Sequence, residues 1–202
     1  MDIATQRKWD NAVRGYDLMN GFGPERRWEP WKRELFSHMA GNVLFLAIGT
    51  GQDIQFFPPG RRITAIDISE RMLDQARPRA EKYDGDLDLR HLDVHDLDYP
   101  TATFDQVFTS CTFCSVPNPV DGLRALGRVL KPGGTLGMFE HTGSRFFPFG
   151  LMLDLMTPLT RRLGPELNRN TPDNVQRAGF VDVVVEPVYL DVVKIIRARR
   201  PH

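Results

Sequence analysis

The chain has 202 residues, with 26 Lys and Arg balanced by 26 Asp and Glu, so no net field draws it to nucleic acid. An apolar fraction of 41% is ordinary for one self-sufficient domain, whose core at this length needs neither disulfides nor a structural metal. The two cysteines, Cys111 and Cys114, form one C-x-x-C with no second pair or matched histidines, which speaks against a disulfide framework or a zinc site and for thiols in a reducing compartment. No run of 18 apolar residues occurs and "MDIATQRKWD" lacks a signal-like apolar core, so a cytoplasmic protein is expected.

Trp9, Ala12, Val13 and Tyr16 recur at i, i+3, i+4 and i+7 and predict a first helix. "NGFGP" (20–24) breaks the chain. Trp28, Trp31, Leu35, Phe36 and Met39 then stripe a second helix that Gly41 ends. Short apolar runs follow at 42–48, 62–67, 87–92, 104–110 and 134–140 and read as strands. Between them, Ser69 caps a helix that Pro78 should kink or end, Asn118-Pro119 opens another, and "LKPGG" turns it into the fifth strand. "RFFPFGLMLDLM" (145–156) is too apolar to lie free in water and predicts a helix covering the site. Thr171-Pro172 opens a last helix stopped by Gly179. The runs at 180–186 and 191–198 are separated only by "PVYL", too short for a helical crossover, so the last strand runs antiparallel to its neighbour. The class is α/β: a doubly wound seven-stranded sheet, mostly parallel, with an antiparallel last strand. The chain reads as one domain: a helical lid over 1–41, a core over 42–140, and a helix with the final strands over 141–202.

In such a sheet ligands bind at the carboxyl ends of the strands, where strand order reverses. The first strand there meets Gly49-Thr50-Gly51, whose bare backbone admits a ligand where a Cβ would collide, although a G-x-G also serves plain turns. Asp67 ends the second strand 16 residues after Gly51, and a carboxylate at that place accepts both hydroxyls of a ribose. Asp93 ends the third strand within reach of an adenine amino group. Asp96 and Asp98 fit loop or cap acids.

The glycine turn, the ribose acid, "HLDVHDL", "FDQVFTS" and "VLKPGG", in this order over 42–140, resemble class I S-adenosylmethionine-dependent methyltransferases. A finer resemblance, from about residue 28 to 198, rests on "FFPPG", "TFCSVPNP", "GRVLKPGG", "FEHTGSR" and "NRNTPDNVQRAGF". It points to a subgroup of small enzymes that includes phosphatidylethanolamine N-methyltransferases, quinone C-methyltransferases and microsomal thiol methyltransferases. The resemblance implies S-adenosylmethionine as cofactor, with Ala47, Gly49, Thr50 and Gly51 along its methionine moiety, Asp67 on the ribose, and Ile68 and Met72 against the adenosyl group. It also implies Asp93 and Val94 at the adenine edge and Ser110 beside the methyl donor. Two residues depart from the family pattern. Phe45 stands where an acid usually helps hold the donor's amino group, and Ala47 stands at a glycine position.

Methyl transfer needs alignment, exclusion of water and, for many nucleophiles, removal of a proton. His141 beside Glu140 is the candidate base, against the reading that it bonds the backbone while Glu140 caps a neighbouring helix. Tyr16, before the glycine-flanked "NGFG", fits a gate over the donor or simple packing. Phe113, Cys114 and Phe146 are candidates for an apolar acceptor pocket. Arg169, with Arg161 and Arg162, suits a phosphate head group or a helix end. Trp9, Trp28, Trp31 and the basic pairs fit either core packing or peripheral contact with a membrane surface. The expected partner is a small-molecule or lipid acceptor, foremost a phospholipid amine such as phosphatidylethanolamine. A quinone or thiol is the alternative, and a non-catalytic donor-binding module a second one. No metal site is expected, and the sequence assigns no oligomeric state.

Overall fold

The computed structural model describes residues 1–21, 25–163 and 165–202. Seven strands make one sheet: β1 (Asn42–Leu46), β2 (Arg62–Asp67), β3 (Asp86–His91), β4 (Phe104–Ser110), β5 (Leu130–His141), β6 (Val181–Tyr189) and β7 (Val193–Arg199). Their order is β3-β2-β1-β4-β5-β7-β6. The first five strands run parallel, and β7 is antiparallel to both of its neighbours. The class and the reversed last strand agree with the sequence reading. The chain winds from β1 outward to β3 and then restarts at β4, so β1 and β4 flank the switch point where a ligand crevice is expected.

The helices are α1 (Ile3–Gly21), α2 (Glu25–Ser37), α3 (Glu70–Ala80), α4 (Pro119–Val129), α5 (Phe149–Leu163) and α6 (Thr171–Arg177). Two cores form because successive strand residues face opposite sides. On β1, Leu44 and Leu46 join the α4 and α6 side with Leu123, Leu126 and Val175. Val43 and Phe45 join the α2 and α3 side with Leu35, Phe36 and Leu73. Central strands are thus apolar on both faces, whereas the edge strand β3 alternates.

Local signals set the boundaries with some shifts. Met72 N–H donates to the Ser69 hydroxyl at 3.2 Å, the expected N-cap of α3, but α3 continues two residues past Pro78. "LKPGG" is itself the start of β5, which pairs from Leu130 with a register irregularity between Phe104 and Gln106. Met39 is buried but lies beyond the end of α2. The expected break at "NGFGP" falls on 22–24, outside the described residues.

Candidate active site

The turn after β1 is built by two glycines with different tasks. Gly49 has φ +57°, and a Cβ added there would meet nothing nearer than Tyr16 Cε1 at 3.9 Å, so its bare face opens on the crevice. Gly51 has φ +82°, and a Cβ there would lie 2.9 Å from Ile54 Cδ1 and 3.0 Å from the Ala76 Cβ. Gly51 therefore seats α3 against the turn and does not line the crevice, a correction to the role expected of it. Ala47 adopts φ +57°, the left-handed conformation that its glycine counterpart would hold freely.

Asp67 converges on this turn. Its Oδ2 accepts the Gly49 N–H at 2.8 Å and its Oδ1 accepts the Ser69 N–H at 2.9 Å. Burial pushes the carboxyl up to about 6, while the Ser69 and Gly49 N–H groups pull the other way. The carboxylate keeps acceptor capacity beyond these bonds for a ligand's hydroxyl. At the next strand end, Asp93 accepts the backbone N–H and the ring Nδ1 of His95, both at 3.0 Å, and the Asp2 N–H at 2.7 Å. Burial opposes the Asp93 charge, but these donors outweigh it and hold the carboxyl below its ordinary value.

These groups line a crevice, partly open to solvent, together with Ile68, Met72, Val94 and Ser110. Its outer wall comes from α1 through Thr5, Trp9 and Tyr16, the last two edge to face at 6.1 Å. A second crevice adjoins it and shares Trp9, Tyr16, Ala47, Ser110, Cys111 and Ser115 with the first. Thr50 lines only the second. Further in lie His141, Lys32 and Asp53. The Lys32 ammonium sits 2.9 Å from Asp53 Oδ1, with both side chains nearly buried, and 5.4 Å from the Phe139 ring centre.

The position of the missing acid is now explained. Phe45 is fully buried, 5.4 Å from the Phe36 ring and 4.9 Å from the Phe57 ring, and lines neither crevice. Asp53, held by Lys32, is a carboxylate on the wall of the second crevice. Sequence reasoning missed Lys32, although the signal was there: it lies four residues after Trp28 and three before Leu35, on the apolar stripe of α2 where a lysine has no ordinary place.

His141 borders the second crevice, and its Nδ1 is buried without a hydrogen-bond partner. The expected alternative, a backbone bond, is absent at that atom. Burial, with Lys194 nearby, holds the ring below its ordinary value and so neutral. Glu140 does not cap a helix. Its Oε1 accepts the Thr109 hydroxyl at 2.7 Å and the Thr112 N–H at 3.1 Å, and its Oε2 accepts the Phe113 N–H at 3.1 Å. It thereby ties down the turn after β4 that floors both crevices. Burial pushes its carboxyl up to about 7.

The expected acceptor residues fare differently. Phe113 is fully buried in the core cluster that includes Leu123 and Leu126 and lines neither crevice. Phe146 is 68% exposed and also lines neither. Arg169 donates to the Val116 carbonyl at 3.3 Å and pairs with Glu166 at 3.1 Å, so it braces a loop and is not open to a phosphate. The side chains of Arg161 and Arg162 lie outside the described residues. Cys114 is buried, which pushes its thiol up to about 12, but it lines the second crevice, and Cys111 lines both; no disulfide joins them.

Comparison with known proteins decides the family. A methyltransferase-domain model matches residues 44–138. A thiol S-methyltransferase of Homo sapiens is 30% identical over 80% of this chain and 72% of its own. The chain belongs to the S-adenosylmethionine-dependent methyltransferases. A demethylmenaquinone methyltransferase of Symbiobacterium thermophilum is 32% identical, over 72% of this chain and 62% of its own. A phosphatidylethanolamine N-methyltransferase of Cereibacter sphaeroides is also 32% identical, over about half of each chain (50% and 51%). Among solved structures, a possible histamine N-methyltransferase of Thermotoga maritima superposes with a TM-score of 0.73 at 17% identity, over 97% of this chain and 99% of its own, which shows the shared fold. This methyltransferase uses S-adenosylmethionine, and the site fits it: an open Gly49 face, a buried acid with spare lone pairs at Asp67, and a second acid at Asp93 lie along one crevice.

Proposed function

We propose that the methyltransferase methylates the nitrogen of a lipid-type amine held in the second crevice. The bound donor supplies an electron-poor methyl group on a sulfonium. Asp67 holds the ribose hydroxyls, Asp93 and the Val94 backbone meet the adenine edge, and Asp53, steadied by Lys32, receives the amino group that the residue at 45 no longer can. Helix α1 acts as the lid, with Trp9 and Tyr16 at the junction of the two crevices. Aromatic faces there favour cations, which suits an ammonium acceptor better than a thiol or a quinone.

His141 carries this reading: a neutral imidazole, with a buried and unpartnered Nδ1, in the crevice continuous with the donor site. Its task is to accept the proton that the acceptor ammonium loses before attack. A carbon–nitrogen bond then forms as the carbon–sulfur bond breaks, and the proton passes from His141 to water.

Labelled methyl transfer tests the proposal with three acceptors: phosphatidylethanolamine, a small thiol and a demethylated quinol. Label should enter the phospholipid amine, and His141→Ala should lower turnover about 100-fold while S-adenosylhomocysteine still binds. Label in the thiol or quinol alone would overturn the acceptor choice. Donor binding without transfer to any acceptor would make the chain a binding module.

A further inference from the structure

Helix α5 is patterned inside out. Its residues facing the protein are Gly150, Leu153, Thr157 and Thr160, with Thr157 donating its hydroxyl to the Leu153 carbonyl at 2.8 Å. Its outward residues are Leu151, Met152, Leu155, Met156 and Leu159, which at 3.6 residues per turn share an arc of about 140°. Leu155 is 73% and Leu159 66% exposed, and Phe147, just before the helix, is 84% exposed. A surface helix of a water-soluble domain places these residues the other way round. The helix expected over 145–156 forms over Phe149–Leu163, with most of its apolar side chains outward.

The charges around the strip choose its occupant. Arg145 is exposed immediately before it, and Arg161 and Arg162 follow in sequence in the last turn. The acid within the helix, Asp154, lies to one side and accepts from Asn168 Nδ2 at 2.9 Å. A second copy of this chain packed about a two-fold axis would set basic ends against basic ends, in either helix orientation. An anionic bilayer satisfies both the apolar strip and its basic flanks. At 15 residues α5 is too short to span a bilayer, and no helix among the described residues is long and apolar enough to do so, so α5 would lie in the interface.

We propose that α5 is a membrane-docking helix that lies in the plane of an anionic lipid surface. Leu151, Leu155 and Leu159 sink among the acyl chains, with Phe146 and Phe147 at one end. The chain leaving α5 places Pro165 and Leu167 on the wall of the second crevice, so docking brings the mouth of that crevice to the lipid. The surface stands whichever acceptor is methylated.

The test is flotation of the full chain with vesicles of phosphatidylcholine containing about one third phosphatidylglycerol. The chain should float with these vesicles, and less so at high salt. The neutral pair Leu155→Gln with Leu159→Gln should weaken binding at least about tenfold, because it removes apolar area without altering charge. Both side chains are exposed, so thermal unfolding and S-adenosylhomocysteine binding should stay as in the parent. Failure of the parent to float, or equal flotation of the double variant, would overturn the proposal. So would a dimer that the double variant dissolves in a chain that never floats. Loss of methyl transfer with flotation intact would count against the catalytic reading alone.

Discussion

The two ends of the donor crevice are built by different rules. At the end proposed for the adenosyl group, Asp67 and Asp93 stand where strand geometry puts them, and short backbone bonds fix each one. At the end proposed for the methionine moiety, Phe45 stands where the family resemblance implies an acid and Ala47 where it implies a glycine, and an ion pair between α2 and the turn after β1 lies on the second crevice. A site tolerates rewriting where another element can reach in with the same chemistry. It does not where the ligand must meet a backbone atom at one fixed strand end.

The largest expected effect lies at the fixed end. Asp67→Asn should weaken S-adenosylhomocysteine binding more than about 100-fold by calorimetry, since an amide cannot accept from the ribose and from two backbone donors together. The parent's affinity should also fall as pH drops through about 6, because a protonated Asp67 loses acceptor capacity, and the variant should show no such fall. Equal affinity in parent and variant would erase the contrast. A smaller effect belongs to the rewritten end. Asp53→Asn should cost about tenfold in donor affinity, the weight of one charge-assisted bond, and Lys32→Met a similar amount by releasing Asp53. Unchanged affinity in both would mean that the ion pair only joins α2 to the turn. The smallest is Ala47→Gly, which should raise stability to denaturant by about 0.5–1 kcal/mol, as relief of a left-handed alanine outweighs the entropy of a new glycine. A loss of stability would show that Ala47 packs better than its backbone suffers.

Much of this was legible in the residues. The strands at 62–67 and 104–110 coincide with β2 and β4, because dense apolar runs ended by polar residues leave little choice of register. Asp67 and Gly49 were readable as partners because both follow adjacent parallel strands. What stayed hidden depends on which way a face turns. Periodicity marks α5 as a helix with an apolar stripe and is silent on whether that stripe meets the protein or water. Gly51 and Gly49 look alike in sequence, and only the approach of Ala76 separates a packing glycine from a ligand-facing one. Arg169 reads as a free cation until the Val116 carbonyl and Glu166 are found to hold it.

Glu140 and His141 are consecutive on β5, so their side chains leave the strand on opposite sides. One anchors the turn after β4 and the other lines the wall of the second crevice. Floor and wall thus share a single rigid mount, and the spacing between them is set by covalent geometry rather than by the breathing of a loop.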